Sequence, residues 1–328
     1  MRVLVTGGTG SVGINIVRHL AAKGHEVLCV SRKADSPDPA RDQFLAPVSE
    51  RVTVVGGDVG DHQSTDALFE TYRPTHVVHA AAITPTPEME RSMGRVILNA
   101  NLMGTVHILE AAQRFDCKRV VFISSAAVYG DVSEDVVIGD DHPTQPNGLY
   151  GIAKDASERL CAYYESMHGL ESVITRVGWV YGPMERQMEG SRYSTSLVHQ
   201  FVAMGLAGEE IRLVHLDHLR DWIHADDLGA AILALLQEPR LEHRIYNLSG
   251  GRGYSHQELL TTLQDILPVT YRHVSNPAEA NIPTAATRAR RGPTSIARLT
   301  ADTGFTQNFD LRDGLSDYVR WVRSTSNS

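Results

Sequence analysis

The sequence predicts a doubly wound α/β fold, a parallel sheet with helices on both faces, joined to a smaller and discontinuous second domain. Three observations predict it. In the first half, short β-branched runs alternate with longer helical patterns, which implies parallel pairing through right-handed crossovers. A glycine-rich turn, TGGTGSVG, joins the first such run to the first helical one. After Arg176 the rhythm breaks, and loop-forming residues separate the elements that remain.

Taken in order, residues 3–6, 26–30, 52–56, 76–80, 119–124 and 172–176 read as strands, being short, apolar and rich in Val, Ile and Thr. The stretches 11–23, 65–72, 96–115 and 149–168 read as helices, and Gly24 ends the first as a left-handed cap. Residues 182–195, rich in Gly, Ser, Arg and Met, read as a covering loop. A helix (196–206), a strand (210–216), a helix (226–236) and a last sheet strand (244–248) follow. The remainder, punctuated by Pro268, Pro277, Pro283 and Pro293, reads as irregular with short helices, and the tail RSTSNS as frayed. These readings divide the chain into a sheet domain, 1–180 with 217–250, and a lid domain, 181–216 with 251–328.

Composition narrows the function classes. With 328 residues, 42% hydrophobic and 21% charged, the chain has the balance of a soluble globular protein. A net charge of -8 leaves no basic stripe to replace phosphate counterions, so a nucleic-acid partner is not expected. Glycines interrupt the apolar start MRVLVTGGTG too early for a signal peptide or a membrane span. Cys29, Cys117 and Cys161 are odd in number and far apart, so no disulfide framework is expected and the cytoplasm is the expected location.

In the turn TGGTGSVG, Gly7, Gly10 and Gly13 let the backbone bend sharply, approach a pyrophosphate and pack the helix on the strand. Ser11 and Val12 then open that helix, where free N–H groups and the dipole favour an anion. The end of the second strand discriminates between nicotinamide dinucleotides. An acid there would bind the ribose hydroxyls of NAD. This chain has Ser31 followed by Arg32 and Lys33, which suits the 2′-phosphate of NADP, with NAD the alternative.

The stretch LYGIAKD sets Tyr150 and Lys154 four residues apart, on one helix face. A phenol is a poor base at neutral pH, but a neighbouring ammonium favours the phenolate. Tyr150 could then move a proton to or from an alcohol oxygen while a cofactor moves the hydride, and Lys154 could also hold the cofactor ribose.

With these two motifs in place, the layout resembles the extended short-chain dehydrogenase/reductase family, the NAD(P)-dependent epimerase/dehydratase group. GDVGD from Gly57, HAAA from His79, NLMGT from Asn101, SSAAVYG, YGIAK and RDWIHADD from Arg220 fall in the family's order over nearly the whole chain. The resemblance implies a Rossmann sheet with a substrate lid, and an active serine three residues before the Val of S-x-x-V-Y-G, which is Ser125. It implies Asp58 and Val59 near the adenine, Ala80, Ala81 and Ala82 along the dinucleotide, and Asn101 supporting the active-site helix. It also implies cofactor contacts from Val177 and Val180. Substrate contacts would come from Thr84, Ser125, Ala126 and Trp179, and from the lid arginines Arg186, Arg192, Arg220 and Arg288.

Two departures shape the expected reaction. The family's sugar-nucleotide dehydratases carry an acid pair where this chain has Ala126 and Ala127, so a 4,6-dehydratase is not expected. Trp179 stands where the nucleotide-sugar enzymes carry an asparagine that contacts the pyrophosphate, which favours a smaller hydroxy or keto substrate, including one that carries a carboxylate. The cluster His215, Asp217, His218, Asp221, His224 and Asp226 is read as a strand and helix start rather than a metal site, because its spacing fits no standard site. The expected protein is therefore an NAD(P)-dependent oxidoreductase acting on a secondary alcohol or ketone, forming a homodimer, with no metal. A nucleotide-sugar epimerase that retains its cofactor and a dinucleotide sensor without catalysis are the alternatives.

Overall fold

The computed structural model describes residues 1–185, 196–283 and 291–326. Its centre is a seven-stranded sheet of β1 (Arg2–Thr6), β2 (Glu26–Ser31), β3 (Val52–Gly56), β4 (His76–His79), β5 (Arg119–Ser125), β6 (Ser172–Val177) and an edge strand, Ile245–Leu248. In space the edge strand is followed by β6, β5, β4, β1, β2 and β3, and every ladder is parallel. Strand order reverses between β1 and β4, so a crevice opens beyond the carboxyl ends of those two strands.

The strands read as apolar runs because both faces are covered. Alternate side chains point to opposite faces. Val3, Val5, Val27 and Val78 pack beneath α1 (Ser11–Ala22) and the helix Ala225–Gln237. Leu4, Leu28, Val77 and Phe122 pack on the other face, against the helices His62–Tyr72 and Gly104–Arg114. A third apolar cluster, including Phe201, Leu213, Leu259, Leu263 and Tyr318, lies between the helices Leu197–Ala207, His256–Gln264 and Leu311–Ser326. Tyr181 and Trp222 belong to that cluster, on the short parallel strands Trp179–Tyr181 and Trp222–His224.

Some sequence readings shift in the structure. The stretch read as one helix over 96–115 is a helix at Gly94–Leu98, a π-helical turn at Asn99–Met103 and a helix at Gly104–Arg114. The strand read at 210–216 pairs only over Ile211–Leu213. The helix Leu149–His168 has the expected bounds and ends on left-handed Gly169. The three cysteines are buried and free, and no described helix is long and apolar enough to cross a membrane.

Candidate active site

The glycine-rich turn is built for a close approach. Gly7 has φ +65°, and a Cβ there would lie 2.8 Å from the Ala81 Cα, so the loops after β1 and β4 touch backbone to backbone. A Cβ on Gly13 would fall 2.2 Å from the Gly7 carbonyl oxygen. The first turn of α1 contains no acidic residue, and its N-cap Gly10 offers no side chain to the free N–H groups. Such a cradle fits a dinucleotide pyrophosphate.

Beneath this turn the residues are pinned by a buried chain that sequence reasoning did not single out. The Ala81 N–H donates to Thr6 Oγ1 at 3.1 Å, Thr6 Oγ1 lies 2.7 Å from His79 Nδ1, and His79 Nε2 lies 3.2 Å from Thr105 Oγ1. Burial, with Lys154 nearby, holds the His79 pKa down at about 3, so the ring is neutral. At the end of β2, Ser31 is buried and bonded to Thr9 at 2.8 Å, whereas Arg32 and Lys33 are exposed. After β3, exposed Asp58 accepts from the Gly60 N–H at 2.9 Å beside buried Val59.

Asn101 occupies the π-helical turn. Its carboxamide exchanges two hydrogen bonds with the backbone of Ile83, at 2.7 and 2.8 Å, and its carbonyl accepts from Ser157 on the helix Leu149–His168 at 3.3 Å. It thereby ties the segment containing half-buried Thr84 to that helix.

Ser125 ends β5 in register with Val177 of β6, and its Oγ accepts the Ala127 N–H at 3.1 Å. The helix Leu149–His168 lies directly on the following turn, since a Cβ on Gly151 would meet the Ala127 carbonyl oxygen at 2.8 Å. Lys154 is 2% exposed and donates to the Ile123 carbonyl oxygen at 2.6 Å. Its ammonium is 5.8 Å from the Tyr150 ring centroid. Burial lowers the Lys154 pKa from 10.5 to about 8, against the opposing pull of Cys161 and Glu158.

Two residues after β6, half-buried Trp179 sits under the guanidinium of buried Arg220, 3.9 Å from the ring centroid, and within 5.8 Å of Arg291. Arg291 was not among the expected residues. Arg186, Arg192 and Arg288 lie outside the described residues. Val180, half-buried, follows Trp179. Acids of the RDWIHADD segment pin the chain: Asp221 accepts from Thr294, Asp227 from Asn308 and Phe309, and Asp226 lies 3.0 Å from His19.

A parallel sheet with a glycine-lined crevice at its reversal point is a Rossmann-type dinucleotide-binding fold. The chain belongs to the NAD dependent epimerase/dehydratase family, which matches residues 3–249. A dTDP-glucose 4,6-dehydratase of Streptomyces niveus is 28% identical over 98% of this chain and 93% of its own length. A UDP-glucose 4-epimerase of Azospirillum brasilense is 29% identical over 100% of this chain and 93% of its own. The UDP-glucose 4-epimerase of Thermus thermophilus, solved as a complex with NAD, is 26% identical with a TM-score of 0.80, covering 98% of this chain and 99% of that one.

These relatives correct one expectation. Ala126, 1% exposed, and Ala127 carry no proton donor, yet proteins named dTDP-glucose 4,6-dehydratase match along almost the whole chain, so excluding that reaction class is not supported. The exclusion rested on two positions, and an acid supplied by another part of a pocket leaves no mark at them.

Proposed function

We propose that the protein oxidises a secondary hydroxyl of a nucleotide-linked sugar to a ketone and later returns the hydride, as one member of the family's epimerase and dehydratase chemistry. A bound nicotinamide dinucleotide would supply the hydride acceptor. The observation that carries the proposal is that buried Lys154, bonded to Ile123 two residues before Ser125, holds its ammonium 5.8 Å from the Tyr150 ring centroid. Ser125 would hold the reacting oxygen and Tyr150 would take its proton. Lys154, cationic below its lowered pKa, would favour the phenolate. The nucleotide-linked class is supported by the substrates named for the relatives and by two guanidiniums meeting at Trp179.

Gly7, Gly10, Gly13, Ala81 and Lys154 would hold the dinucleotide. Exposed Arg32 and Lys33 beside a serine in place of an acid favour NADP over NAD. The sheet domain would carry the dinucleotide and the lid domain the sugar. Exposed Val96, Met103, Ile152, Tyr163 and Met167 support pairing of two copies.

The test is to incubate the purified protein with NADP or NAD and a panel of UDP- and dTDP-hexoses and to follow the sugar by NMR. An epimerised or keto sugar is the expected product. Turnover confined to small hydroxy or keto acids would replace this reading with the one that Trp179 suggests.

A further inference from the structure

Behind the proposed catalytic trio lies a buried acid that the reaction as described does not use. Glu158, 4% exposed, sits one helical turn after Lys154 on the same helix. Its Oε1 accepts the Ser124 hydroxyl at 2.5 Å, and Ser124 is the residue before Ser125. Arg176 on β6 grips the same carboxylate from Nε at 3.1 Å and from Nη2 at 2.7 Å. That guanidinium is itself fixed, with Nη1 donating to the Asp140 carbonyl oxygen at 2.9 Å and to the Tyr129 hydroxyl at 3.1 Å. Tyr129 donates on to Asn247 of the edge strand at 2.6 Å.

The carboxylate thus joins three elements that must agree on one geometry: the strand end presenting Ser125, the helix presenting Tyr150 and Lys154, and β6. A buried ion pair is a costly way to hold strands together, and apolar residues of equal volume often do so better. What a paired carboxylate adds is a directed bond to the residue beside the reacting serine and a negative charge near Lys154.

We infer that Glu158 is a positioning residue of the proposed reaction, its Arg176-braced carboxylate setting, through Ser124, where Ser125 stands relative to Tyr150 and Lys154. The inference rests on the proposed function for the identity of the reacting groups. The electrostatic consequence is separate. The titratable groups around the carboxylate are Arg176 on β6, Tyr129 after β5, and Lys154 and Cys161 on its own helix. Of these, Lys154 is the one whose charge falls within the working pH range.

Two variants test it. Ser124→Ala removes the bond to the serine and leaves the ion pair intact. Turnover should fall roughly ten- to a hundredfold, the scale for a misplaced reacting group, with KM little changed and the melting temperature lowered by no more than loss of one buried hydrogen bond to a carboxylate implies. Glu158→Gln keeps the shape and removes the charge. The Lys154 titration, followed by NMR on protein carrying isotope-labelled lysine, should move to lower pH by roughly half a unit or more. Lys154 is one of four lysines in the chain, so Lys154→Met assigns its signal. That measurement needs no substrate, so it stands even where the proposed reaction fails. Unchanged turnover in Ser124→Ala would overturn the positioning role, and an unmoved Lys154 titration in folded Glu158→Gln would overturn the electrostatic one. If Glu158→Gln does not fold, Ser124→Ala alone decides.

Discussion

The ammonium of Lys154 donates to the carbonyl oxygen of Ile123 at 2.6 Å, which anchors the helix Leu149–His168 to β5 two residues before Ser125. The bond accounts for one side of the ammonium, which also lies 4.6 Å from the Phe122 ring centroid and 5.8 Å from that of Tyr150. Desolvation then sets when that charge exists, since burial brings the pKa to about 8.

A pH dependence follows. As pH rises through about 8, Lys154 loses its proton and Tyr150 loses the cation that favours its phenolate, so kcat/KM should fall on that alkaline limb. For stability the sign is opposite. The folded pKa lies below the unfolded value of 10.5, so the unfolded chain binds more protons between the two, and this group's contribution rises with pH from about 8 to 10.5. Denaturant titrations of the protein and of Lys154→Met across that window should show the difference between them changing in this direction. A pH-independent difference would contradict it.

Tyr150→Phe keeps the ring beside Lys154 and removes its oxygen. Turnover should drop at least ~100-fold, the scale for a lost general acid–base group, with dinucleotide affinity nearly unchanged. Steady-state rates, alongside fluorescence titration of the reduced cofactor, check both halves.

Gly13→Ala places a methyl 2.2 Å from the Gly7 carbonyl oxygen, which is backbone and has no side-chain route of escape. The turn must open, at a cost of about 1–3 kcal/mol, and dinucleotide binding should be lost before the fold is. Calorimetry and thermal melts on the same sample separate the two.

NADPH should bind more tightly than NADH, and Arg32→Ala should narrow the gap by about one to two decades, the worth of a charge-assisted phosphate contact. Equal affinities in the unmodified protein would remove the preference.

How far these features were legible from sequence depends on how local they are. The glycine turn, the alternation of strands and helices, and Tyr150 with Lys154 are set by near neighbours, and the helix Leu149–His168 has its expected bounds. The π-helical turn at Asn99–Met103 was not legible, because the bonds that fix it come from Ile83 on a distant loop. The sequence ends a strand at Ser124, and the partner of its hydroxyl, Glu158, is 34 residues away. The spacing of Glu158 from Lys154 was a visible signal that was not used. Trp179 was read against an absent asparagine, whereas its neighbours are Arg220 and Arg291, brought in from separate segments. The two alanines after Ser125 were read as excluding dehydration, an inference the relatives do not support.

The central claim is that a hydride leaves a sugar carbon while Tyr150 takes the proton. The most direct measurement uses a UDP- or dTDP-hexose deuterated at the carbon that reacts, mixed with the protein and oxidised dinucleotide in a single turnover. In samples quenched before the hydride is returned, deuterium should appear on the reduced nicotinamide ring, read by mass spectrometry, in the unmodified protein and not in Tyr150→Phe. A sugar altered without deuterium reaching the cofactor, or transfer undiminished in Tyr150→Phe, would contradict the account.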